Sequence, residues 1–111
     1  MFGDGPVLNE NSEVYSVSSS ALAQALIFTY FTTDIGMLIA LKSWPELGVH
    51  VRGAINNGLT ELEIREAILQ ASIYCGVPAG IKATKVAEAT LKDMEQKGEF
   101  RRQMSELAPP S

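Results

Sequence analysis

Residues 43–63 read SWPELGVHVRGAINNGLTELE, and this stretch carries the local signals that decide the fold. Pro45 falls in a first helical turn, where its missing backbone donor costs nothing, and Ser43 is a residue type that caps helix N-termini. Asn56-Asn57-Gly58 then supplies residues that tolerate the left-handed conformation in which helices end. The stretch therefore predicts a helix of about thirteen residues that begins near Trp44.

A second helix is predicted from Thr60, because Thr60 and Glu63 have the spacing of a capping box. Its apolar residues recur at steps of three and four, and they are Leu62, Ile64, Ala67, Ile68, Ala71 and Cys75. The charged residues between them, Glu61 included, are expected to be solvated. Gly76 is predicted to end this helix.

Two further helices flank this pair. Pro78 is predicted to open a last helix that stops at Gly98, with inward residues Ile81, Ala83, Val86, Ala87, Thr90, Leu91 and Met94. The apolar stretch 21–41 predicts a buried helix. A transmembrane span there is disfavoured, because Gln24 and Asp34 are costly at mid-membrane.

The ends of the chain are expected to add little to this domain. Residues 1–20 show no sustained period and predict a flexible arm, and residues 99–111 predict a tail that frays after Phe100. No convincing β-hairpin is predicted. The class is all-α, with one helical domain over residues 21–98.

Composition excludes several functions. Nine basic and thirteen acidic residues give a net charge of −4, so a nucleic-acid partner is not expected. Because Cys75 is the only cysteine and His50 the only histidine, one chain can form neither a thiolate pair nor a two-histidine metal centre. A helical chain of this size often completes its core by self-association. We expect a cytoplasmic homo-oligomer without a metal.

Glu46 and His50 are the first candidates for chemistry. They are four residues apart, so on a helix they share a face, and a carboxylate beside an imidazole is a common general acid/base arrangement. The alternative is a solvated or interface pair. Arg52 could clamp a carboxylate or form a salt bridge, and Trp44 and Tyr74 could contact a ligand or pack in the core.

The ordered series from Trp44 to Thr60, continued by Ile73-Tyr74-Cys75-Gly76-Val77-Pro78-Ala79, resembles the carboxymuconolactone decarboxylase family. This resemblance implies an alkyl hydroperoxidase D-like helical bundle subunit that assembles into trimers or hexamers. In the peroxidase branch the active helix carries CxxCxxxH, whose histidine falls on His50 and whose cysteines fall on Ser43 and Glu46. Both thiols are therefore absent, and peroxiredoxin-type activity is not favoured.

The resemblance to the decarboxylase branch implies loss of CO2 from a small carboxylated lactone without a cofactor. His50 would supply the proton and Glu46 would hold its tautomer. Arg52, Trp44 and Tyr74 are the candidate substrate-binding residues. Phe28 to Ile35 stands where the family has an Arg-rich stretch, and Asp34 is the only carboxylate near that position. The alternatives are a hydroperoxide-reductase-like accessory protein and a catalytically weak oligomeric binding subunit.

Overall fold

The computed structural model describes residues 6–8, 14–16, 19–104 and 107, and the side chains from residue 20 onward. Two short strands precede four helices along the chain: β1 (Pro6–Leu8), β2 (Val14–Ser16), α1 (Ser19–Ala40), α2 (Trp44–Asn56), α3 (Glu61–Cys75) and α4 (Val77–Gln96). The strands pair antiparallel within the arm, where no hairpin was predicted; the rest of the arm lies outside the described residues. The helices carry the domain, so its class is all-α.

The four helices pack around one core. α1 packs against α2 and α3, and α4 packs against the same two helices, so α1 lies diagonally across from α4. Each helix contributes wholly or almost wholly buried apolar residues, among them Ile35, Ile39, Leu47, Val51, Ala54, Ile64, Ile68, Ala83, Ala87 and Leu91. Ala83, Ala87 and Leu91, which were predicted to face inward on the last helix, are therefore buried. Leu62 of α3 is an exception to the predicted stripe, because it is 52% exposed.

Local signals account for most helix boundaries. Thr60 and Glu63 form the predicted capping box: the Glu63 N–H donates to Thr60 Oγ1 over 3.1 Å, and the Thr60 N–H donates to Glu63 Oε1 over 2.9 Å. Gly76 has a φ of 98°, a conformation that side chains resist, and it lets α4 begin directly after α3. Ser43 is the N-cap of α2 by position, but its side chain makes no capping hydrogen bond, so that part of the prediction is wrong.

By length and composition alone, residues 20–40 of α1 could cross a membrane. Two features of α1 indicate a bundle helix instead. Ile35 and Ile39 are fully buried in the core, and Asp34 pairs with a side chain of α2. We therefore treat α1 as part of the packed domain.

The C-terminal segment packs against the bundle where a frayed tail was predicted. Arg102 donates from Nε to Glu61 of α3 over 3.0 Å, and from its two terminal nitrogens to Glu88 of α4 over 2.8 and 3.0 Å. The Gln103 N–H donates to Glu61, and the Leu107 N–H donates to Glu88. Glu61, expected to be solvated, is completely buried because these donors replace water.

This network predicts a loss of stability in acid. Burial alone would raise the pKa of Glu88, but hydrogen bonds from Arg102 and Leu107 outweigh it and hold the pKa below its ordinary value of 4.5. As the pH falls below that value, the unfolded chain takes up a proton before the folded chain does. The stabilisation is therefore complete above about pH 4.5 and is lost progressively below it.

Urea unfolding midpoints measured between pH 7 and pH 3 check this prediction. The midpoint of the wild type should fall in the acid part of the range, and Glu88→Gln should show a lower midpoint at pH 7 with a flatter acid limb. Parallel profiles for the two proteins would contradict a role for Glu88.

Candidate functional site

His50 lies on α2 opposite Asp34 of α1. The distance from His50 Nδ1 to Asp34 Oδ2 is 2.9 Å, and the two side chains are 27% and 18% exposed. The contact has the distance of an ion pair without the alignment of a hydrogen bond, and Nδ1 is buried with no hydrogen-bond partner. This half-buried carboxylate and imidazole join the first two helices.

The carboxylate next to His50 therefore comes from another helix. Glu46, predicted as the partner from its spacing, lies on the solvent-exposed side of α2 and forms no ion pair with His50. An exposed i,i+4 pair gains little from pairing in water, whereas Asp34 is held in place by helix packing. Asp34 is the only charged residue of α1, and this isolated charge in an apolar helix was its signal in the sequence.

Arg52 is occupied by two other carboxylates. It donates from Nη1 to Glu99 over 2.6 Å and from Nη2 to Asp93 of α4. The carboxylates of Glu99 and then Asp93 raise the pKa of Arg52 above its ordinary value. Because residues two apart on a helix do not share a face, Arg52 and His50 point to different sides of α2. The structure thus does not bring these two residues together.

The two aromatic candidates differ in exposure. Trp44 is half-buried and packs against the core at the start of α2. Tyr74 is 82% exposed and borders a hollow of about 270 Å³ between α1 and α3, with Thr33 and Gln70 among the other lining residues. Tyr74 is therefore not a core residue.

The groove between α1 and α3 contains two further hollows, of about 240 and 470 Å³. Phe28 lines both of them, and His50 lines none of the three. The Asp34–His50 pair lies instead between α1 and α2. We place the candidate site at the Asp34–His50 pair and not at these three hollows, because His50 can supply a proton.

Within the part of the chain that the structure describes, no group of three or more His, Cys, Asp or Glu residues is arranged to hold a metal ion. Cys75 is half-buried at the end of α3 and carries no disulfide. Among the described residues, the His50 imidazole and the Asp34 carboxylate therefore remain the candidates for chemistry.

Comparisons with known proteins place the chain among decarboxylases by sequence similarity. The nitrosuccinic acid decarboxylase npaB of Metarhizium robertsii is 57% identical to the chain over 68 residues, which are 61% of this chain and 48% of that protein. The 4-carboxymuconolactone decarboxylase of Acinetobacter baylyi is 43% identical over 60 residues, 54% of this chain and 45% of that protein. The chain thus spans about half the length of these relatives. No solved structure matches it significantly.

The family model that matches the chain covers residues 34–89, so the match begins at Asp34 and includes His50. It takes in half of the chain: the end of α1, all of α2 and α3, and the larger part of α4. On this match the protein belongs to the carboxymuconolactone decarboxylase family.

Proposed function

We propose that the protein is a cofactor-free decarboxylase of a small carboxylated substrate and that His50 is its proton donor. The observation that carries the proposal is the half-buried His50–Asp34 pair, which lies within the residues that match the family model. An imidazole with one edge in the protein and the other accessible can hold a proton and deliver it to a bound molecule.

The names of the two relatives suggest a substrate class. In nitrosuccinic acid one carboxyl group is on the carbon that bears the nitro group, and 4-carboxymuconolactone has a carboxyl group on an unsaturated lactone. Loss of CO2 leaves an electron pair that can delocalise onto nitro oxygens in the first compound and onto the lactone carbonyl in the second. We therefore propose a substrate in which the electron pair left by the departing CO2 can delocalise onto such an oxygen acceptor.

The proposed reaction has two steps. The bond between the carboxyl carbon and its neighbour breaks, CO2 leaves, and the electron pair forms a nitronate or dienolate. Protonated His50 then transfers its proton to carbon, and water restores the proton on the ring. The protein must stabilise developing negative charge on the acceptor oxygens, so a cation or N–H donors are needed near His50.

The remaining predicted site residues enter the proposal as substrate-binding and supporting groups. Arg52 would have to leave Asp93 or Glu99 to reach a substrate carboxylate from its present position. Glu46 lies one turn before His50 and would contact a ligand that extends along α2. Trp44 and Tyr74 would act at the edges of such a ligand or in an assembly.

We also propose that the chain works as a homo-oligomer, a trimer or a hexamer. Tyr30, Met37 and Leu41 are 58%, 53% and 75% exposed, and with Asp34 they recur at steps of three and four along α1 and the turn that follows it. A second copy that covered this apolar face would also exclude water beside His50. Size-exclusion chromatography with light scattering tests the assembly, and a monomer at micromolar concentration would contradict it.

The test of the activity is CO2 release from nitrosuccinate and from 4-carboxymuconolactone, each followed against the rate without protein. Turnover of one of them above that background supports the proposal, and the preferred compound identifies the acceptor group. With no release from either compound or from a wider panel of carboxylactones, the decarboxylase proposal fails and the catalytically weak binding subunit takes its place. The thiol positions held by Ser43 and Glu46 give no support to a hydroperoxide reductase.

A further inference from the structure

His50 Nδ1 is the only buried side-chain nitrogen or oxygen without a hydrogen-bond partner among the residues that the structure describes. Because the atom is buried, water does not satisfy it, and Asp34 Oδ2 at 2.9 Å is the polar group beside it. Nε2 makes no hydrogen bond within the described chain either, but it is not among the buried atoms. The two ring nitrogens thus have different surroundings.

These surroundings distinguish the two neutral forms of the ring. With the hydrogen on Nδ1, an N–H faces the carboxylate and a small rotation completes a charge-assisted hydrogen bond. With the hydrogen on Nε2, a lone pair on Nδ1 faces a negatively charged oxygen at 2.9 Å, without water between them. The first arrangement is attractive and the second is repulsive.

The backbone holds this contact in place. Ile35, which follows Asp34, and Val51, which follows His50, are both completely buried in the core. Each fixes the rotation of its helix about the helix axis, so the Cα–Cβ bonds of Asp34 and His50 keep their directions. The carboxylate therefore stays within reach of the imidazole.

We propose that Asp34 is the positioning residue of the site: it holds neutral His50 in the Nδ1–H form, so that Nε2 is the nitrogen that carries the proton of the reaction. This inference rests on the proposed decarboxylase function for its catalytic consequence. Asp34 does not touch the reacting atoms. In protonated His50 both nitrogens carry hydrogen, so Asp34 faces an N–H throughout the cycle and only Nε2 changes its state.

Nitrogen-15 NMR of the histidine ring tests the tautomer directly, and His50 is the only histidine, so its signals need no assignment by mutation. At a pH where the ring is neutral, the wild type should show hydrogen on Nδ1. In Asp34→Asn the amide can accept from Nδ1–H or donate to a bare Nδ1, so the preference should be lost. Glu46→Gln should keep the wild-type pattern.

Three results of the NMR experiment overturn the inference. They are an Nε2–H form in the wild type, an Nδ1–H form that persists unchanged in Asp34→Asn, and a pattern that responds to Glu46→Gln in place of Asp34→Asn. Circular dichroism of each variant checks that the protein is folded before the NMR signals of its histidine ring are compared. Asp34→Leu, which can neither donate nor accept a hydrogen bond, repeats the test with a second substitution.

The activity arm asks whether the tautomer matters to the reaction. Asp34→Asn should lower kcat by roughly tenfold to a hundredfold and change KM by less than about threefold, as expected when proton transfer is impaired and binding is kept. The matched control is Glu95→Gln, which removes one negative charge from an exposed position of α4. Unchanged kcat in Asp34→Asn overturns the positioning role. If the wild type turns over no substrate, the decarboxylase proposal fails while the NMR result still decides the tautomer.

Discussion

Replacing His50 by Gln is expected to lower the rate of CO2 release by about a hundredfold to ten-thousandfold, the usual contribution of a positioned general acid. Gln is close to His in size, so the variant should fit between α1 and α2. It cannot hold an ionisable proton, however, and carbon would have to be protonated by water. The comparison is made at saturating substrate, so that kcat reports the loss of the acid and not weaker binding.

The fold of His50→Gln must be intact for this result to count. Its helical circular dichroism and its elution volume should match those of the wild type. A variant that retains a third or more of the wild-type kcat, by rough count less than a 1 kcal/mol effect on the barrier, would remove His50 from the chemistry. The proton donor would then have to be sought elsewhere along α2, with Glu46 as the first candidate.

The structural features that could be predicted are those with local signals in the sequence. The start of α3 follows from Thr60 and Glu63, and the break between α3 and α4 follows from Gly76, because caps and turns depend on residues within one helical turn. The membership of His50 in a helix also follows from such signals. These features need no knowledge of how the helices pack.

The partner of His50 could not be predicted from local signals. Spacing along one helix selects Glu46, whereas the structure places Asp34 there, sixteen positions earlier and on another helix. A contact between helices depends on the rotation of both about their axes, which the burial of Ile35 and Val51 decides. Asp34 stands out in the sequence as the only charged residue of α1, but the sequence does not show that its side chain faces α2.

The C-terminal segment shows the same limit more strongly. Arg52 and Glu99 are 47 positions apart, and Arg102 and Glu61 are 41 apart, so no local pattern connects them. The sequence predicts a tail that frays after Phe100, because it ends in Ala-Pro-Pro-Ser. The structure shows that paired charges, together with buried Leu107, hold the described part of this segment on the bundle.

These charged contacts also relate the tail to the site. α2 is tied to α1 by His50 and Asp34, and it is tied to α4 and the tail by Arg52, Asp93 and Glu99. Arg52 binds carboxylates on one side of α2, while the His50 side chain is partly exposed on another side of the same helix. The position of His50 thus depends on contacts on two sides of α2.

Arg102→Met is expected to destabilise the protein more than any other single substitution in the tail, by about 3–5 kcal/mol. The Arg102 side chain is 7% exposed and Glu61 is completely buried, so removal of the guanidinium leaves a buried carboxylate without its cation. Hydrogen bonds from Arg102 to Glu88 are lost as well. Met retains much of the length of Arg, which limits the effect of the lost packing.

Urea unfolding followed by circular dichroism measures this change, and Arg101→Met is the matched control because Arg101 is the exposed neighbour. The control should change the free energy of unfolding by less than about 0.5 kcal/mol. Adding Glu61→Gln to Arg102→Met should recover part of the loss, since the unpaired buried charge is then removed. If Arg102→Met behaves like the control, the C-terminal segment does not dock on α3 and α4 in solution. A large loss that Glu61→Gln partly reverses shows instead that this segment belongs to the folded domain and that its buried charges hold it there.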